Sequence, residues 1–392
     1  MKVNRYRILF IKPGDAIGEY DNVLEPASKF PVYDSGKSYM ENILEVAQRS
    51  QLMIISFGTR LAYKTYKNQR FLVLPVSLKL NNLFLRAVFK ALWQVLIFIV
   101  LVCFRPKYVF CVDPGYSLLI PFIYSIIFHS RFFSLLATPV SSLLHTALLR
   151  KVQFLMSIKI LGSNHTNTIL CCSHFIRNEL VKYGIKEHKL SVFPFQYKKD
   201  FFKRKNVSLP IEGDVFRILY AGRISNKEKR VFDLVEIAYR VKNIEPNIKF
   251  FVIGDGPDLP ELSTRIKTKR LNDTIYLLGY QPSGLIYSYL KTADVLIITS
   301  KYEGLAKVGC EANFAGLPIV SSKCGGISDY LYDDYNGFLV EPGDMKGYVD
   351  AIICLYSNKS LLKKFQKNTK QISKRLLTPS ETLTDQLRKC LR

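Results

Sequence analysis

The sequence predicts an α/β protein made of two doubly wound domains, each an open, mainly parallel sheet with helices on both faces, set across a cleft. Three observations lead there. At 392 residues the chain is long enough for two domains of ordinary size. Hydrophobic residues make up 48% of it, which suits a packed core and not a disordered basic tail. Short β-prone runs alternate with helical patterns in two successive series, and a polar stretch separates the series.

In the first series "YRILFI" (6–11), "QLMIISFG" (51–58), "RFLVLPV" (70–76), "KYVFCVD" (107–113) and "FFSLLAT" (132–138) read as strands. "SYMENILEVAQRS" (38–50) places apolar residues at helical spacing between two of them. "TILCCSHFIRNELVKYGIKEHKLSVFPF" (168–195) reads as strand, capped helix and strand. The first domain is therefore assigned to 1–200. Residues 201–214, charged and containing a proline, read as a linker. In the second domain, 215–376, the strands are "FRILYAG", "IKFFVIGDG", "TIYLLGY", "ADVLIITS", "LPIVSS" and "GFLVEP". Residues 377–392 end in "SETLTDQLRKCLR", a capped helix with Ser380 as candidate N-cap, expected to pack back at the domain junction.

The formal charge is +24. Between Val46 and Asn178 stand fifteen Lys or Arg residues and one acid, Asp113, so +14 of the charge comes from this segment. Such a field draws phosphates, whether on nucleic acid, anionic lipid headgroups or a diphosphate-linked substrate. A solvated basic face gives the same composition. Two apolar runs lie within it, "ALWQVLIFIVLVCF" (91–104) and "LLIPFIYSIIF" (118–128). Both fall short of the ~18 residues of a spanning helix. They are either buried helices or helices partly inserted into a membrane surface. The N-terminal apolar run is shorter than a secretory core and reads as the first strand. The eight cysteines form no C-x-x-C pair, which suits free thiols in a reducing compartment better than a disulfide framework or a zinc site. The expected location is the cytoplasm.

Ligands of open α/β sheets bind outside the carboxyl ends of the strands. Four loops of the second domain meet that condition. "AGRISNKEKR" supplies Gly222, Arg223 and Lys229, "GDGPDL" supplies Gly254 and Gly256, and "GYQPSG" follows Gly279 with Tyr280. "SKYEGLAKVG" supplies Glu303, Gly304 and Leu305 and turns into a helix, whose free N-terminal amides suit a diphosphate. Glu311 follows eight residues after Glu303, about 12 Å along a helix, too far for a shared-proton pair. Taken alone, the two glutamates read equally well as exposed helix positions.

The order "AGRI…K…GDGP…LLGY…ADVLIITSKYEGL…E…G.PIVSS..GG", from Ile218 to about Ile352, resembles the C-terminal domain of glycosyltransferase family 4, retaining nucleotide-sugar transferases of GT-B fold with two Rossmann-like domains. "DSGKSYMENILEVAQRSQLMIISFG" resembles the family's glycine loop, helix and second strand, with Gly36 in the loop. The resemblance implies a nucleoside diphosphate sugar as donor. It implies that Arg223 and Lys229 neutralise the leaving diphosphate, with Lys227 as a competitor for the second role. By the same resemblance Glu303 binds sugar hydroxyls, the Gly304 and Leu305 amides meet the phosphates, and Glu311 accepts from the ribose. The family often places a histidine on the acceptor side. Thr138 and Pro139 occupy that place here, so His129 and His145 are the nearby candidates.

Some motifs are excluded. "DSGKS" is not a P-loop, because Pro31 stands where the first glycine belongs. "GDGPDL" lacks the third glycine of a dinucleotide fingerprint, and Asp333 and Asp334 precede an Asn-Gly turn. No metal, no cofactor and no nucleic-acid partner are expected. The expected function is sugar transfer to a lipid-linked surface glycan by an enzyme held peripherally at the anionic inner face of the cell membrane. The alternatives are a nucleotide-sugar epimerase or hydrolase, and a non-catalytic membrane- or nucleic-acid-binding relative. Nucleic-acid binding would show a steep salt dependence.

Overall fold

The computed structural model describes residues 6–13, 16–17, 35–48, 50–58, 61–75, 83–113, 118–144, 148–193, 207–210, 213–377 and 382–392, leaving aside the side chains of 35–39, 83–90, 148, 149, 375 and 377. The chain forms two compact units, 1–194 with 381–392, and 195–380.

Among the described residues, the first unit holds an eight-stranded sheet. Its strands are β1 (Arg7–Pro13), β2 (Gln51–Gly58), β3 (Ala62–Tyr66), β4 (Gln69–Pro75), β5 (Tyr108–Val112), β6 (Arg131–Leu136), β7 (Thr166–Cys171) and β8 (Leu190–Val192). They lie in the order β3-β4-β2-β1-β5-β6-β7-β8. The five strands predicted up to residue 138 are present within two residues at either end. Ile8 to Lys12 are buried without a break, as a central parallel strand covered on both faces requires. On one face Leu9, Ile11, Val109 and Phe132 pack under helices. On the other, Phe10, Phe110 and Phe133 stack across three strands at 4.6 and 4.7 Å.

The antiparallel edge strand β3 was not expected. Its side chains are exposed or half-buried, so it carries no apolar alternation. What holds it is backbone pairing with β4, from Ala62 opposite Val73 to Tyr66 opposite Gln69.

The apolar runs belong to α2 (Leu83–Phe104) and α3 (Leu119–Ile127), α1 being Ser35–Val46. Each is core on one side only. α2 buries Ile97, Leu101 and Phe104 but exposes Leu92, Val95 and Ile99. α3 buries Tyr124 and exposes Ile123, Ile126 and Ile127. The next helix, α4 (Leu148–Gly162), exposes Val152 and Leu155. α5 (His174–Lys182) follows β7, capped by Ser173. No helix among the described residues is long and apolar enough to cross a membrane.

The second unit holds a six-stranded parallel sheet, β9 (Phe216–Ala221), β10 (Ile248–Ile253), β11 (Ile275–Gly279), β12 (Val295–Ile298), β13 (Ile319–Ser322) and β14 (Gly337–Val340), in the order β11-β10-β9-β12-β13-β14. All six were predicted. Successive residues face opposite cores: Ile218, Phe250 and Val295 on one side, Leu219, Phe251 and Leu296 on the other. The helices are α6 (Asn226–Lys229), α7 (Asp233–Ile244), α8 (Leu259–Thr268), α9 (Ser283–Leu290), α10 (Lys307–Ala315), α11 (Met345–Ser357) and α12 (Lys359–Leu377). Part of the expected linker belongs to this core: Leu209 is 4% exposed within it and its N–H donates to Thr292 Oγ1 at 3.3 Å. Residues 201–206 and 211–212 lie outside the described residues.

The C-terminal helix α13 (Leu383–Cys390) lies in the first unit. Thr384 Oγ1 donates to Asn42 Oδ1 at 2.7 Å, and Gln386 Nε2 donates to the Val192 carbonyl at 2.9 Å. Its N-cap is Thr382, not Ser380. The Asp385 amide donates to Thr382 Oγ1 while the Thr382 amide donates back to Asp385, the three-residue spacing that a capping box needs.

Candidate donor-binding site

In the second unit the chain winds from β9 outward to β11, then returns to lay β12 against the other side of β9. The gap between the carboxyl ends of β9 and β12 is therefore the topological switch point, where open α/β sheets bind ligands. The loop after β9 brings Gly222, Arg223 and Lys229 to it, and the loop after β12 brings Glu303. Two bonds tie these loops together: Thr299 Oγ1 donates to the Lys229 carbonyl at 2.7 Å, and the Lys301 amide donates to the Glu228 carbonyl at 2.8 Å.

Lys229 Nζ meets Glu303 Oε1 at 2.5 Å, and Ser300 Oγ donates to the same oxygen at 2.6 Å. The Lys229 and Glu303 side chains are 24% and 10% exposed, so the pair is largely desolvated yet reachable. The family resemblance had implied that these residues meet different parts of a ligand; the fold also makes them partners. Lys229 holds this position, while Lys227 is exposed on the same short helix. Arg223 is exposed and its Nη1 lies 3.9 Å from Glu228 Oε2.

Glycine is required where backbones cross. Gly254 has φ 144, and a Cβ there would sit 1.8 Å from the Gly222 carbonyl oxygen. A Cβ on Gly256 would sit 2.2 Å from the Ile224 carbonyl oxygen. Gly325, which the site reading had not assigned, has φ 55 and would put a Cβ 1.7 Å from the Glu303 carbonyl oxygen. Its signal was present in the "CGG" after β13. Gly279 ends β11 at φ 64 and its carbonyl accepts from the Gly254 amide, with Tyr280 exposed beyond it.

Helix α10 starts at Lys307, after the turn that Gly304 was expected to open. Ala306 stands in the left-handed region at φ 55, ψ 76, which interrupts the helical path. The 12 Å rise expected between Glu303 and Glu311 therefore does not apply to its first steps. Gly304 and Leu305 lie in the connecting turn, with Leu305 partly buried against the core, and Glu311 lies half-buried on α10.

Cys324 lies beside the pair. Burial, together with the negative charge of Glu303, pushes its thiol up to about 11, so it is a neutral thiol at physiological pH. Among the described residues no group of three or more His, Cys, Asp or Glu gathers to hold a metal ion.

The acceptor-side candidates fare differently. His129 is exposed in the turn between α3 and β6, which places it at the amino end of that strand, away from the ligand-binding edge. Gly36 lies in the first turn of α1, not in a loop. His145 lies outside the described residues.

Residues 201–372 match the family model for glycosyl transferases group 1. This chain carries a group 1 glycosyl transferase domain. Lipopolysaccharide 1,6-galactosyltransferase of Escherichia coli is 29% identical over 189 residues, 47% of this chain and 50% of that protein. A second Escherichia coli protein, UDP-Gal:alpha-D-GlcNAc-diphosphoundecaprenol alpha-1,3-galactosyltransferase, is 26% identical over 220 residues, 52% of this chain and 55% of its own length. The chain thus spans about half the length of the curated relatives it matches. An Anabaena protein crystallised with UDP and glucose superposes with a TM-score of 0.66 at 14% identity, over 99% of this chain and 98% of that one. That likeness is one of fold, the GT-B fold.

Proposed function

We propose that this group 1 glycosyl transferase moves a sugar, with retention of configuration, from a nucleoside diphosphate donor to a lipid-linked glycan. The observation that carries the reading is the desolvated Lys229–Glu303 pair at the switch point of the second unit, with exposed Arg223 earlier in the same β9–α6 connection. A pair so placed gives a diphosphate sugar both things it needs, a cation for the leaving phosphates and a carboxylate for the sugar hydroxyls. Lys229 would share its charge between Glu303 and the donor, and the exposed Arg223 would meet the phosphates. At ~4 Å and an effective dielectric of ~20, each cation interacts with one phosphate charge by about 4 kcal/mol. That matches the rate effect of an oxyanion-hole donor, about 10²–10³. The amides of Gly304 and Leu305 would add to it, with α10 behind them. Glu311 would accept from the ribose. Two cations and a helix N-terminus would take the role of a divalent metal, and no cofactor is needed.

The lipid-linked acceptor is supported by the names of the relatives, one acting in lipopolysaccharide and one on a diphosphoundecaprenol carrier. It is supported also by the apolar faces of α2, α3 and α4 in the first unit. Arg150, Lys151 and Lys159 are exposed on α4 beside Val152 and Leu155, the combination that lies down on an anionic lipid surface. The protein would then work peripherally at the inner face of the membrane.

The testing experiment is a thermal-shift screen of nucleoside diphosphate sugars against the wild type and Glu311→Ala. One donor raises the melting temperature of the wild type and not of the variant. A screen without any stabilising donor, or with an identical response from the variant, removes the donor site. Sedimentation with anionic vesicles at low salt tests the membrane face, and absence of binding removes that part.

A further inference from the structure

Ala306 holds a conformation that residues other than glycine enter at a cost, and it does so at the entrance to α10. Its restraint is visible. The Ala306 carbonyl accepts a 2.9 Å hydrogen bond from the Tyr330 hydroxyl. Tyr330 is fully buried, and burial keeps its phenol protonated and a donor at all ordinary pH. The ring runs so close to α10 that a Cβ on Gly309 would lie 2.2 Å from the Tyr330 hydroxyl oxygen. Gly309 is the opening through which the phenol reaches the turn.

Tyr330 is itself fixed by two buried asparagines. Asn336 Nδ2 donates to the Tyr330 carbonyl at 2.9 Å and to Asn313 Oδ1 at 3.0 Å. Asn313, on α10, donates to the Gly309 carbonyl at 3.1 Å. The segment that leads into Tyr330 also supports the other end of the turn, for Gly325 rests on the Glu303 carbonyl and the Gly326 amide donates to it at 3.4 Å. One stretch, 325–330, therefore holds the 303–306 turn at both ends.

We infer that Tyr330 is a positioning residue of the donor site: its hydroxyl holds Ala306, and through it the 303–306 turn and the first amides of α10, in the arrangement that receives the donor diphosphate. This rests on the donor-site reading above. Without the phenolic bond, the alanine relaxes toward ordinary backbone angles and the amides at 304–307 turn away.

The test is calorimetric titration of UDP and GDP, using whichever binds the wild type, against Tyr330→Phe, Ala306→Gly, the double variant and Gly309→Ala. Tyr330→Phe should weaken binding about five- to tenfold, the loss of one buried hydrogen bond. Gly309→Ala, which pushes the ring aside, should act in the same direction. Adding Ala306→Gly to Tyr330→Phe should return affinity to within about twofold of the wild type, because glycine holds the left-handed turn without restraint. A residue of merely structural importance would lower the melting temperature and leave affinity and its rescue untouched. Unchanged binding by Tyr330→Phe, or no rescue by Ala306→Gly, overturns the inference while leaving the donor site standing. No binding of either nucleotide to the wild type overturns both.

Discussion

Replacing Lys229 with methionine keeps the side-chain stem and removes the cation that Glu303 faces at 2.5 Å. At that separation and an effective dielectric of ~20 the gross attraction is about 6–7 kcal/mol. Desolvation of the two groups cancels much of it. The side chains are 24% and 10% exposed, so the pair falls between an exposed bridge, worth up to ~1 kcal/mol, and a buried one, whose breaking costs ~3–5 kcal/mol. Ser300 remains to satisfy one carboxylate oxygen. Lys229→Met should therefore destabilise the second unit by about 2–3 kcal/mol, a fall of about 5–10 °C in its melting transition. Glu303→Gln alone should cost about 1–2 kcal/mol. The double variant should cost less than the sum of the single changes, with a coupling of about 1–2 kcal/mol. Urea denaturation of all four proteins, following the transition of the second unit, measures this cycle. Additivity within about 0.5 kcal/mol would show that the two charges do not act as a pair and would refute the reasoning.

Other outcomes follow from the same geometry. Gly254→Ala drives a methyl into the Gly222 carbonyl and should cost at least about 2 kcal/mol together with donor affinity, whereas Gly279→Ala, in open space at φ 64, should cost only about 1 kcal/mol. Denaturation curves of the two variants check the contrast. Cys324, with its thiol at about 11, should react with iodoacetamide far more slowly at pH 8 than the exposed Cys103 and Cys354, and its rate should climb about tenfold per pH unit until pH 11. Peptide mapping of alkylated protein reads this directly, and a fast Cys324 at neutral pH would contradict it.

The centre of the second sheet was legible because strands such as β10 and β12 are buried on both faces and so read as continuous apolar runs, "FFVI" and "VLII". β3 was not, because "AYKTY" is held by backbone pairing that hydropathy does not record. The left-handed residue between Glu303 and α10 was not legible, for a related reason. The angle at Ala306 is not a property of alanine but is imposed by Tyr330, 24 residues further on. Loop placement and the family resemblance assigned Lys229 and Glu303 to one site but not to each other, since their contact spans 74 residues. Hydropathy counted the apolar residues of α2 and α3 correctly and could not say which of them face outward. His129 was chosen for its chemistry and its nearness in sequence to Thr138, and the turn before β6 carries it to the wrong end of the strand.

In the proposed donor site two cations and a helix entrance hold the diphosphate without a metal. Calorimetric titration of UDP, with GDP as the second probe, into the wild type and the Arg223→Met, Lys229→Met double variant tests it, in EDTA and again with magnesium. The wild type should bind in EDTA with an affinity that magnesium leaves unchanged, and the double variant should bind at least about 100-fold more weakly, since each charged hydrogen bond lost is worth ~1.5–3 kcal/mol. Binding that appears only with magnesium, or a double variant that binds as the wild type does, would contradict it.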